Sequence, residues 1–339
     1  DVHDGHPAAE QKERVITMEQ EKKEHNRTLD ALANSMGREI VDYMHDDNIN
    51  EVALNTDQRL WIDTADHGWE DTGIIIPPPQ AKRIIYGVAA LSGTTIDIDN
   101  KPYLEAEIKE SYLFGKARFQ GELPSIVDYP SFNIRKHSSR VFGLDDYVRQ
   151  GTMSEHQRDV IIQAVKDHWN IIAAGGTSSG KTTLLNAVLA EVSKTGDRIV
   201  IIEDTGELQC TAPNHVNLKT QRPMIDMDTL LRITLRKSPR RIVVGEVRGK
   251  EALSLLKAWN TGHDGGCATV HSDSAEETLY RLEQMIAEVS VNPQPAMIGR
   301  SVDMIIYIKK EGIKRRIDEI IHVKGYDKVT QEYQIEHIA

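Results

Sequence analysis

Cysteine is nearly absent. Cys210 and Cys267 are the two in 339 residues, which excludes a disulfide-stapled secreted fold and points to a reducing compartment. Aromatic residues are scarce, at 5% of the chain, and no basic stripe is interleaved with them. A stacking platform for single-stranded nucleic acid is therefore not expected, and no direct nucleic-acid partner is assigned. Apolar runs are short. None approaches the ~18 residues of a membrane-spanning helix. No basic start followed by an apolar run reads as a signal peptide. A cytoplasmic chain without a transmembrane segment is expected, with Met18 as a candidate native start.

Basic charge is also in deficit. The net charge is −11, and all of it falls in the first 100 residues, which hold 20 acidic and 9 basic side chains. Residues 101–339 carry 32 of each and are neutral. A free chain this acidic is a poor non-specific binder of DNA or RNA. Hydrophobic residues reach 39% and charged residues 27%, enough for ordinary cores. At about 150 residues per domain, the length fits two domains.

Residues 1–27 are polar and read as a frayed tail or a solvated helix. Leu29, Leu32, Met36, Ile40 and Met44 then recur at helical spacing. Two short β-patterned runs, 51–55 and 60–62, flank a turn at Thr56-Asp57-Gln58 and predict a hairpin. Pro77-Pro78-Pro79 precedes a helical segment over 81–91, and a β-rich stretch runs from Tyr103 to Arg135. Residues 28–135 thus read as a small α+β N-terminal domain. A polar connector is expected over 136–150, and a second domain over 151–339. In the latter, short β-branched runs at 170–174, 198–202 and 241–244 alternate with helical segments, the pattern of an α/β domain with a mostly parallel sheet. Runs at 302–308 and 316–323 predict a late strand pair.

Gly175-Gly176-Thr177-Ser178-Ser179-Gly180-Lys181-Thr182 fits the phosphate-loop pattern G-x-x-x-x-G-K-[ST] in full, between a predicted strand and a predicted helix. Such a loop turns backbone N–H groups toward phosphate oxygens, and the helix N-terminus adds partial positive charge. Lys181 can reach the terminal phosphates, and the Thr182 hydroxyl, followed by Thr183, can ligate Mg²⁺. Two strand-end acid groups follow, as Mg²⁺ and an attacking water require: Glu203-Asp204 with Glu207, and Gly245-Glu246-Val247-Arg248. Solvated turns would also place acids there. His271 closes a glycine-rich segment that starts at Thr261. Three readings are open for it: a contact near the terminal phosphate, a polar core histidine, or an open zinc site with His263 and Cys267.

Taken in order, these motifs resemble the secretion ATPase family that powers type II and type IV secretion, type IV pili and conjugation. In the N-terminal half, residues 51–62, Arg118-Phe119-Gln120-Gly121 and Phe132-Asn133-Ile134-Arg135-Lys136 resemble its TrbB-type conjugal-transfer branch. The resemblance runs from about Leu29 to the C-terminus. It implies an α/β fold with a RecA-like P-loop C-terminal domain beside a smaller α+β domain. It implies Mg²⁺-dependent ATP hydrolysis by a ring-shaped homo-oligomer, a hexamer, with nucleotide between the two domains. Partners would be other secretion-system subunits at the inner face of the bacterial inner membrane. Glu246 would act on the attacking water. Glu203 and Glu207 would stand near Mg²⁺ and water, and His271 would be the family's histidine. Arg118 and Arg135 would reach the phosphates, the alternative for either being a surface or interdomain salt bridge. The sequence departs from the family twice. Ser178 replaces a usual glycine, which costs about 1 kcal/mol if the position needs positive φ. Arg240 follows Pro239 where the family favours Asp.

Other classes share the phosphate loop. A nucleotide switch that hydrolyses little would need the same cradle. A helicase is disfavoured by the acidic first third, and a small-molecule kinase by the lack of an evident acceptor lid. The acidic charge of residues 1–100 is expected to meet partner subunits rather than phosphate.

Overall fold

The structure is a computed structural model that describes residues 7–137, 141–221 and 223–339. The chain divides into two compact units, residues 1–139 and 140–339. Residues 1–6 of the expected tail, and Ser138, Ser139 and Arg140 of the expected connector, lie outside the described residues. Within that connector Lys136 ends a strand, and residues 144–149 form a short helix.

The first unit opens with helix α1 (Pro7–His45), so the polar start is helical from Pro7 onward. Gly37 interrupts the helix at φ 80 and ψ 166, a conformation that glycine adopts without a Cβ penalty. On both sides of that break the apolar stripe stays buried, from Leu29 to Met44. Strands β1 (Ile49–Leu54) and β2 (Arg59–Thr64) form the hairpin, with Leu54 opposite Leu60 and Gln58 at positive φ in the turn. Strand β3 (Gly68–Ile75) extends the meander. Helix α2 (Pro78–Leu91) starts on proline, where the missing N–H would be unpaired anyway. Strands β4 (Tyr103–Ile108), β5 (Ala117–Glu122) and β6 (Ser131–Lys136) complete a six-stranded antiparallel sheet of order β3-β2-β1-β6-β5-β4. Burial alternates along β5 and β6, as in a sheet with one apolar face. That face joins Ile40, Ile84, Phe119 and Phe132 in one core.

The second unit begins with helices α3 (Leu144–Arg149) and α4 (Glu155–Lys166). Ser154 caps α4 by accepting the Gln157 N–H, and the Gln157 side chain reciprocates. Then come β7 (Ile171–Gly175), α5 (Lys181–Val192), β8 (Ile199–Glu203), β9 (His215–Lys219), α6 (Met227–Thr234), β10 (Arg241–Val247) and α7 (Glu251–Trp259). They are followed by β11 (Cys267–His271), α8 (Glu277–Ala287), α9 (Pro295–Ser301), β12 (Met304–Glu311), β13 (Lys314–Asp327) and β14 (Glu332–His337). They build an eight-stranded sheet of order β14-β13-β12-β7-β11-β10-β8-β9. The strands from β12 to β9 in that order run parallel, and β13 and β14 are antiparallel additions. Residues of α3, α4 and α5 share one core with the sheet, and residues of α6 through α9 share the other. Central strands buried on both faces explain why β7, β8 and the start of β10 read as unbroken apolar runs.

The register brings four strand ends to one edge. His271 pairs with Gly175, Val270 with Val247, and Val244 with Ile202. This is the carboxyl edge of a parallel sheet, where open α/β folds bind ligands. The opposite edge is locked by Arg241, which has no exposed surface. Its Nε donates to Asp197 Oδ2 at 2.6 Å, and its Nη1 and Nη2 donate to the carbonyls of Gly265 and Val165. A buried guanidinium with this many acceptors holds β10, the 165–168 turn and the 264–266 turn in one arrangement. No helix among the described residues is long and apolar enough to cross a membrane.

Candidate functional site

The phosphate loop leaves β7 and enters α5, in the order the motif requires. Its conformation explains its composition. Gly175 sits at φ 156, where a Cβ would collide with the Ile308 carbonyl oxygen and the Ser179 hydroxyl. Gly180 sits at φ 99, and Ser178 adopts φ 56. The serine therefore does occupy a left-handed position, at a cost of about 1 kcal/mol. A Cβ on Gly176 would meet nothing within 4 Å, so that stretch of backbone faces open space. Ser179 is buried, and its Oγ has no hydrogen-bond partner among the described residues. Thr177 lines the neighbouring cleft, while Thr182 and Thr183 are half-buried in the first turn of α5.

Lys181 is 7% exposed, and its Nζ donates to the Gly176 carbonyl at 2.8 Å. It also lies 3.2 Å from His271 Nδ1. An ammonium has only donors, so Nδ1 must accept there, which leaves the ring proton on Nε2. Nε2 lies 3.1 Å from Glu246 Oε1 and donates to it. The other oxygen, Glu246 Oε2, accepts from Arg248 Nη2 at 2.6 Å. Arg248 Nη1 stands 3.7 Å from Asp204 Oδ2. A continuous polar chain thus runs from Lys181 through His271 and Glu246 to Arg248. Burial opposes ionisation of Glu246, but the Arg248 hydrogen bond, with the charges of Arg248 and Lys181, outweighs it and holds the carboxyl below its ordinary value. Glu246 therefore stays a carboxylate. Together with Thr177, Val247, Arg281 and Met285, the residues Glu246, Arg248 and His271 line an open cleft of about 380 Å³.

The other acids are placed differently. Glu203 is 3% exposed at the end of β8, and it does not line the cleft. Its Oε1 accepts the N–H groups of Glu207 and Leu208 at 2.8 and 3.1 Å, so it shapes the turn after its own strand. Gly245 lies against it: a Cβ there would stand 3.1 Å from the Glu203 Cβ. On the α5 side, Asn186 fixes the same turn through the Glu207 carbonyl and the Gln209 N–H. Glu207 itself is half-buried and also stands outside the cleft lining.

Burial pushes the Glu203 carboxyl up to about 7, against the two N–H donors that favour its charge. An acid whose folded value exceeds its ordinary 4.5 favours the fold when protonated. That contribution is complete below pH 4.5 and is lost as pH rises toward 7. The Tm of the wild type, relative to Glu203→Gln, is expected to fall across that interval. A Tm gap that stays constant across it would overturn the assignment.

Arg118 and Arg135 lie in the first unit, on β5 and β6, directly opposite each other. Glu107 on β4 pairs with Arg118, and Glu51 on β1 pairs with Arg135. Directly paired residues share a face, so the two arginines form the centre of a Glu-Arg-Arg-Glu row across four strands. The zinc reading of His271 finds no support in the geometry. Cys267 is buried in β11, the His263 ring bonds the Ala258 carbonyl, and no metal-holding group of three such side chains occurs among the described residues.

A family model described as "Type II/IV secretion system protein" matches residues 115–319. The chain belongs to that family. The conjugal transfer protein TrbB of Rhizobium radiobacter is 43% identical over 317 residues, covering 93% of this chain and 95% of its own length. A probable conjugal transfer protein TrbB of Sinorhizobium fredii is 42% identical over 326 residues, covering 93% and 98%. Among solved structures, the ATPase DotB of Legionella pneumophila aligns at a TM-score of 0.59 and 18% identity, covering 87% of this chain and 77% of its own. The fold is accordingly α/β, with a RecA-like C-terminal domain and an N-terminal α+β domain.

Two cleft residues carry no signal in the sequence motifs. Arg281 and Met285 stand one helical turn apart on α8, outside every motif. Arg248 was visible within Gly245-Glu246-Val247-Arg248, but its grip on Glu246 depends on a side-chain conformation that spacing does not encode.

Proposed function

We propose that the second unit binds and hydrolyses Mg-ATP, and that turnover drives conformational work in a type IV secretion or conjugal-transfer machine. The observation that carries this reading is the Lys181–His271–Glu246–Arg248 chain at the mouth of a phosphate loop. Lys181 would hold the terminal phosphates, which would compete for its ammonium with the Gly176 carbonyl and His271. The backbone of residues 175–180 would cradle the phosphate chain, together with the Ser179 hydroxyl, whose lack of a partner suits an oxygen-rich ligand. Thr182 would ligate Mg²⁺, with Thr183 beside it, and the metal would neutralise developing phosphate charge. Glu246, kept ionised, would orient or deprotonate the attacking water. Glu203 and Glu207 would hold the neighbouring turn rather than touch water. Arg118 and Arg135 would supply positive charge to phosphate from the first unit, in cis or from a second copy.

The working form would be a ring of identical copies, a hexamer, bound at the inner face of the inner membrane through other secretion-system subunits. The native mass of the chain, measured with and without Mg-ATP while phosphate release is followed in the same sample, tests both parts. Phosphate release together with a hexameric mass is the expected result. A monomer that releases no phosphate would remove the reading.

A further inference from the structure

The cleft beside Glu246 has a wall that the hydrolytic machinery does not use. Arg281 and Met285 of α8 face it alongside Thr177, Glu246, Val247, Arg248 and His271. Met285 is buried and anchors the helix, whereas Arg281 is exposed. The two cleft arginines differ in state. Arg248 is engaged by Glu246 at 2.6 Å and approaches Asp204 at 3.7 Å. Arg281 donates to the neutral side-chain oxygen of Gln284 at 3.0 Å, and no carboxylate pairs with it among the described residues. Its guanidinium therefore stands without a carboxylate partner at the wall of the cleft. A guanidinium fork suits the oxygens of a tetrahedral anion, and such charge-assisted bonds are stronger than neutral ones.

We propose that Arg281 binds the inorganic phosphate produced in the cleft and holds it on its way out. This rests on the ATP-hydrolysing reading above. In that reaction the terminal P–O bond to the ADP oxygen breaks, a P–O bond to the water oxygen forms, and the water proton passes to Glu246. Lys181 and the loop remain with ADP. The departing phosphate needs a cation that is neither held by the loop nor neutralised by Glu246. Arg281 meets that requirement, and Arg248 does not.

The test measures inhibition of steady-state turnover by inorganic phosphate and, separately, by ADP, on the full chain. Wild type, Arg281→Gln and Arg281→Lys are compared. Arg281→Gln is expected to raise the phosphate inhibition constant about tenfold, the size of one charge-assisted contact, while the ADP constant stays put. Arg281→Lys should fall between the two, because it keeps the charge and loses the fork. A phosphate constant unchanged by Arg281→Gln overturns the proposal. So does a parallel rise in both constants, or a wild type that phosphate does not inhibit. A wild type that releases no phosphate from ATP overturns the hydrolytic reading itself, which separates the two failures.

Discussion

Glu246→Gln is expected to lower ATP turnover by about 10²- to 10⁴-fold, the range for removing a positioned general base, while nucleotide binding stays near wild type. Gln has the shape of Glu, and its carbonyl oxygen can still accept from the His271 Nε2–H or from Arg248. It cannot accept a proton from water. The loop contacts that would hold nucleotide come from Lys181 and the 175–180 backbone, and Glu246 contributes to none of them. Phosphate release and binding of a fluorescent nucleotide, measured on the same preparation, separate the two functions. Turnover that persists in Glu246→Gln would move the base elsewhere. Mg-ATP-dependent assembly that persists while turnover is lost would identify nucleotide binding as the assembly signal and hydrolysis as the reset.

The phosphate loop is legible because its chemistry is local. Eight consecutive residues carry the glycines, the lysine and the hydroxyl, and the flanking apolar runs declare a strand and a helix. The carboxyl edge of the sheet is legible for a related reason. In a parallel sheet, acids at the ends of successive strands arrive at one edge whatever the loops between them do, so Glu203, Glu246 and His271 could be grouped before any register was known. What the ends do next is not local. Glu203 and Glu246 look alike in sequence, yet one turns into the core to accept two N–H groups and the other faces a cleft. The register decides this: Val244 pairs with Ile202, so Glu203 stands level with Gly245 rather than with Glu246, and a Cβ on Gly245 would lie 3.1 Å from the Glu203 Cβ.

The strands that escaped notice, β3, β9 and β14, are sheet edges whose half-exposed residues dilute the apolar pattern. The buried Arg241 escaped for the opposite reason. A charged residue at a strand start reads as solvated, and only the long-range convergence of Asp197, Val165 and Gly265 satisfies it. The facing of Arg118 and Arg135 is likewise a matter of register, set by the turn between β5 and β6.

Lys181→Ala is expected to weaken nucleotide binding about 10- to 100-fold, given ~1.5–3 kcal/mol for hydrogen bonds to a charged group, and to abolish measurable turnover. The lysine is nearly buried and holds the Gly176 carbonyl at 2.8 Å, so its ammonium is already positioned at the loop. Alanine leaves that carbonyl and His271 Nδ1 without this donor. Turnover should fall further than binding does, because the terminal phosphates lose their cation. Lys181→Arg should not restore activity, because the planar fork cannot occupy the compact position between the Gly176 carbonyl and His271. The stability cost of the alanine should be small, since it also removes the desolvation penalty of a nearly buried charge. Isothermal titration with ADP and ATP, beside a thermal melt, checks each part. Wild-type nucleotide affinity in a well-folded Lys181→Ala protein would show that this loop is not the phosphate cradle. Intact binding in Glu246→Gln with lost binding in Lys181→Ala is the pattern that a hydrolytic motor requires of these two positions.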